Sequence, residues 1–156
     1  MTRYSSLHVA NKIIDLAHEK KEEIAPLKLI KLVYICHGWC LALNNRPLIF
    51  EDVMAWKYGP VIPELYREVK KYRANDISEK IDLNDNVKFT NEDNELIEEV
   101  YQKYSKFSAV ELSAMTHKKD SPWYLIWNRN NWGIIPNDKI KNYYINLLKS
   151  CESLRE

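Results

Sequence analysis

The sequence predicts a mainly α fold, a helical single domain over residues 1–156 with a small β-sheet of two or three short strands. Three observations predict it. Most of the chain divides into segments whose apolar residues recur at helical spacing, each opened by a capping residue or an N-terminal proline. One of these segments, Pro26 to Leu43, is apolar nearly all round, which marks a central helix covered by others. Runs suited to strands are few and short: Leu48-Ile49-Phe50, Val53 to Trp56, and Ile134-Ile135-Pro136.

The first helix starts at Ser5 or Ser6 and runs to about Lys21, with Val9, Ala10, Ile13, Ile14, Leu16 and Ala17 as its apolar face. His8 and His18 on it read as exposed or half-buried polar positions. Pro26 opens the second helix, and Asn44 and Asn45 end it. Lys28 and Lys31 mark the only wet edge expected near its start. Gly38 sits in its middle, at a cost of ~1 kcal/mol against Ala, and predicts the close approach of another backbone.

Val53 to Trp56 enters a bend at Lys57-Tyr58-Gly59-Pro60. Gly59 reaches dihedrals other residues avoid, while Pro60 biases it towards an extended conformation. Strand alternation turns Trp56 inward and leaves Lys57 and Tyr58 on the turn. A third helix spans about Pro63 to Arg73, with Ile62, Leu65, Tyr66 and Val69 inside and Arg67, Glu68, Lys70 and Lys71 solvated. Asn75 to Lys88 reads as a loop with one or two short strands.

Thr90 caps a fourth helix whose stripe is Leu96, Ile97, Val100, Tyr101 and Tyr104. Its acidic start, Glu92, Asp93 and Glu95, reads as capping plus a solvated face. Ser108-Ala109-Val110-Glu111 is a capping box for a fifth helix with Leu112 and Met115 inward. Ser121-Pro122 opens a short helix to about Asn128, and Asn137 or Asp138 caps a final one.

Composition narrows the function. The chain carries 23 basic and 22 acidic side chains, net +1, where a dedicated nucleic-acid binder would carry a basic surplus. The third helix, with Arg67, Lys70, Lys71 and Arg73, is the best candidate for groove reading, and a solvated face explains it equally well. Three glycines leave no Gly-rich phosphate loop. Three cysteines without framework spacing, and no signal peptide, predict a reduced cytoplasmic protein. No apolar run approaches the ~20 residues that cross a bilayer.

Chemistry is sparse. Cys36 and Cys40 share a helix face, but His37 points about 100° away and no second ligand pair follows, so no metal or other cofactor is expected. His117 offers a base and Cys36 or Cys40 a nucleophile for a hydrolase, yet a thiolate is disfavoured inside so apolar a helix. The chain reads as a non-enzyme.

Three segments carry a resemblance. The first is Leu29-Ile30-Lys31-Leu32-Val33-Tyr34 with Gly38-Trp39, Leu41-Ala42-Leu43 and Arg46-Pro47-Leu48. The second runs from Ala55 through Trp56-Lys57-Tyr58-Gly59-Pro60 to Tyr66. The third is Leu112-Ser113, Thr116-His117 and Ser121-Pro122-Trp123. In this order and spacing they resemble the Panacea domain, the SocA-like antitoxin family, also called phage-associated GepA-like. Cys36 and His37 depart from it, falling where small or polar residues are expected.

The resemblance implies an antitoxin that binds a cognate toxin protein, usually encoded next door, with presentation to a ClpXP-type protease as one route in the family. Many members add a DNA-binding domain, which this chain is expected to lack; a DNA-binding regulator is the alternative. The family signature maps onto Trp56, Lys57, Tyr58, Gly59, Pro60, His117, Ser121, Pro122 and Trp123. These residues either meet the toxin or pack the bend against the turn after the fifth helix, with His117 hydrogen-bonded between.

Overall fold

The computed structural model describes residues 3–155, with side chains through Cys151. The fold is mainly α with a small three-stranded antiparallel sheet. Helix α1 (Ser6–Glu19) is capped by the Ser5 side chain, which accepts from the Leu7 N–H. Helix α2 (Pro26–Asn44) begins on a proline and ends at Asn45, whose left-handed φ of 54° closes it. Then come α3 (Pro63–Val69), α4 (Asn91–Tyr104), α5 (Ala109–Thr116), α6 (Pro122–Arg129) and α7 (Asn137–Arg155). Strands β1 (Val53–Trp56), β2 (Gly59–Val61) and β3 (Ile134–Ile135) pair in the order β2-β1-β3.

Helix α2 is the axis. It packs against α1, α3, α4, α5 and α7, as its uniformly apolar surface requires. Its 19 residues are long and apolar enough to cross a bilayer, contrary to the sequence expectation, yet 72% of that stretch is buried inside the molecule. Lys31 is not at a wet edge: it is fully buried. Gly38 does admit a close neighbour, but the neighbour is a side chain, since a Cβ there would land on the Tyr144 ring. Cys36 and Cys40 are buried free thiols. His37 turns away from both, accepting from the Leu48 and Ile49 N–H groups at Nδ1 and bonding Asn137 Oδ1 through Nε2 at 2.9 Å.

Other expectations shift where long-range partners intervene. Leu48 to Phe50 stays out of the sheet, and Ile49 makes a lone parallel bridge to Tyr4. Asn75 to Lys88 holds no strand; Ile77 N–H instead donates to Ile24 O. Asp93 is buried rather than solvated, accepting from Tyr4 Oη at 2.7 Å and from Arg46 at 2.5 Å. The last helix already begins at Asn137, whose side chain faces His37. The capping box of Ser108 and Glu111 forms as written in the sequence.

Candidate functional site

The site grows from a hairpin. Met54, Ala55 and Trp56 pair with Val61, Pro60 and Gly59, leaving Lys57 and Tyr58 as a two-residue turn. Such a turn favours a positive φ. Gly59, the first residue past it, carries one, +115°, so the extended conformation expected before Pro60 gives way. Lys57 and Tyr58 are exposed, Tyr58 at 64%, with the Lys57 ammonium 5.6 Å from the Tyr58 ring centre.

Gly59 and Pro60 are buried beneath that turn. Lys31 Nζ reaches up from α2 and donates to Pro60 O at 2.8 Å. Burial lowers its pKa to about 7. A side chain on Gly59 would press on that ammonium, 2.9 Å from the new Cβ, with Thr116 and His117 just beyond.

The α5 end holds the other flank. Ser113 Oγ donates to Tyr58 O at 2.8 Å, and its oxygen lies 3.3 Å from His117 Nδ1. With the hydroxyl proton given to Tyr58, Ser113 accepts from Nδ1–H. No carboxylate contacts His117 among the described residues. The Ser113 hydroxyl thus ties the α5 end to the turn.

Beyond His117 the chain turns into α6. Ser121 caps it, accepting from Tyr124 N–H, and Pro122 takes the first helical position. This places Trp123 with its ring 5.3 Å from His117 and its Nε1–H 2.5 Å from Trp56 O. All nine signature residues thus belong to one neighbourhood where hairpin, α5 end and α6 start meet.

Trp56 corrects the alternation argument. Val53 and Ala55 face the core, so Trp56 and Met54 lie on the outer face of the sheet, half-buried. Trp56 rests edge-on against Tyr66, at 5.3 Å, and Trp132, at 6.1 Å. Tyr66, expected inside, is exposed for this reason. Trp132 also meets Trp127, which stacks on Trp123. Ile134, paired with Met54, extends the apolar surface. Sequence reasoning missed Lys31, Ser113, Trp127 and Trp132. A lone lysine among uninterrupted apolar residues was the one signal for Lys31.

Residues 29–124, which enclose every one of these signature positions, match the family described as antitoxin SocA-like, Panacea domain. The chain belongs to that family. It is also 34% identical over 129 residues to antitoxin SocA of Caulobacter vibrioides (strain NA1000 / CB15N), a match covering 77% of this chain and 69% of that protein. No solved structure matches. Within this Panacea domain, the signature thus divides in two. Seven of the nine are buried or half-buried, Gly59, Pro60, Ser121, Pro122 and Trp123 fully and Trp56 and His117 partly, whereas Lys57 and Tyr58 are exposed.

Proposed function

We propose that this protein is a non-catalytic antitoxin that neutralises a cognate toxin, encoded adjacently, by binding it directly in the cytoplasm. The observation that carries the reading is the Tyr58 and Lys57 turn, exposed on a buried base that Lys31 and Ser113 hold by hydrogen bonds, in a member of an antitoxin family. An aromatic side chain on such a base has only two side-chain torsions to lose on docking, and the Lys57 ammonium beside it adds charge. Trp132 and Ile134, both exposed, continue the apolar surface from the hairpin across the sheet. Near-zero net charge favours a protein partner over DNA.

The test is co-expression. The neighbouring gene product is toxic alone, and this protein restores growth and co-purifies with it. Tyr58→Ala and Lys57→Ala, each first verified as folded by its thermal melt, weaken binding by ~2 kcal/mol or more at an anchor position. Folded variants that rescue fully move the interface elsewhere. Wild-type protein that fails to bind or rescue, yet binds its own promoter in a salt-dependent manner, makes it a DNA-binding regulator. Following the toxin's half-life with and without a ClpXP-type protease separates occlusion from proteolytic delivery.

A further inference from the structure

Helices α4 and α7 both pack on α2, and between them the α2 surface is covered at Ile35, half-buried at Trp39 and open at Leu43. Ile35, Trp39 and Leu43, each four residues apart, form the floor of the resulting trough. Leu96 and Val100 of α4 wall it on one side, Leu147 and Leu148 of α7 on the other. The trough encloses about 510 Å³, and Leu43 at its end is 51% exposed. A helix that is apolar all round calls for cover on every side, and towards Leu43 this side opens to solvent.

The trough follows the helix axes. From Ile35 to Leu43 it runs ~12 Å at the helical rise, or about two turns. That shape suits the apolar stripe of another helix laid between α4 and α7, as helix-in-groove recognition does elsewhere. Its charge selects the helix. Lys103, Lys106 and Lys118 stand along the rim, and none makes an ion pair among the described residues; Glu99 is the one carboxylate among the described residues that line it. Lys106 and Lys118 instead lie over the Phe107 and Tyr143 rings at 5.3 and 5.9 Å, which holds their charge at the trough.

We propose that this trough is a docking groove for an amphipathic helix of the toxin, with an apolar stripe facing α2 and acidic side chains along one edge. It rests on the toxin-binding reading above and adds a second contact surface to the hairpin. The probe is a fluorescein-labelled synthetic helical peptide with Leu at helical spacing and Glu along one flank, followed by anisotropy on the whole protein. Wild-type protein binds it, and added salt weakens binding. Leu43→Asp, at an exposed position that leaves the core intact, and the double variant Lys103→Glu/Lys106→Glu each lose about tenfold or more in affinity. The same peptide with Lys in place of Glu binds at least about tenfold more weakly. No binding, equal binding of both peptides, or full binding to Leu43→Asp overturns the proposal. So does tight binding of laurate without the peptide, which makes the trough a small-amphiphile site. Toxin rescue without peptide binding removes the groove and keeps the antitoxin; peptide binding without any rescue does the reverse.

Discussion

The Lys31 ammonium donates to the Pro60 carbonyl oxygen at 2.8 Å in the interior of the protein. Among the described residues it is the only hydrogen bond of that side chain, a group with three donors, and it ties the central helix to the strand beneath the exposed turn.

The burial of this side chain makes stability depend on pH. Burial lowers the Lys31 pKa from 10.5 to about 7, so above that value the unfolded chain holds a proton that the folded chain has released. Stability then rises with pH, by up to ~1.4 kcal/mol per unit. The clean window lies between about pH 7 and 8.5, because above it unfolded thiols ionise while burial holds Cys40 up at about 11. Denaturant unfolding at the two ends of this window is expected to show the rise in wild-type protein and its loss in Lys31→Met. A flat wild-type profile refutes the assignment.

His37 governs the acid side. Burial lowers its pKa to about 4, and Nδ1 must stay unprotonated to accept from Leu48 and Ile49. An unfolded histidine takes its proton near pH 6.5, so stability is lost as pH falls from there towards 4. His37→Gln removes this limb of the profile, whatever it does to stability at neutral pH; a limb that persists assigns the loss to other groups.

Gly38 and Tyr144 form a matched pair. An alanine at position 38 gains ~1 kcal/mol of helix propensity but meets the Tyr144 ring, and overpacking costs ~1–3 kcal/mol. Gly38→Ala should lower the melting temperature, and Tyr144→Leu should be less harmful beside Gly38→Ala than alone. Additive effects in the double-mutant cycle contradict the contact.

Local signals in the sequence were enough for the helices. Ser5, Pro26, Thr90, the Ser108 box and Ser121 each start a helix through neighbouring backbone, and that chemistry needs no tertiary partner. Lys31, Asp93 and Tyr66 escaped the same reasoning because their partners lie far along the chain. Pro60 is 29 residues from Lys31, Tyr4 is 89 from Asp93, and Trp56 meets Tyr66 only after the hairpin reverses. In the candidate site, the family signature drew attention to the hairpin and the α6 start. Ser113 became visible only once α5 packed beside the turn, 55 residues away at Tyr58, and Trp127 and Trp132 only once β3 had returned the chain to β1.

The dependence of α2 on α7 also sets an order in time. As the chain is synthesised, α2 leaves the ribosome early, while the helix that covers Gly38 and Trp39 comes last. At ~5–20 residues per second, an apolar surface stays unshielded for several seconds. Nascent chains stalled before Asn137 should therefore be cut readily by protease within α2, and chains in which α7 has emerged should not. The core of this fold therefore closes only once α7 has emerged.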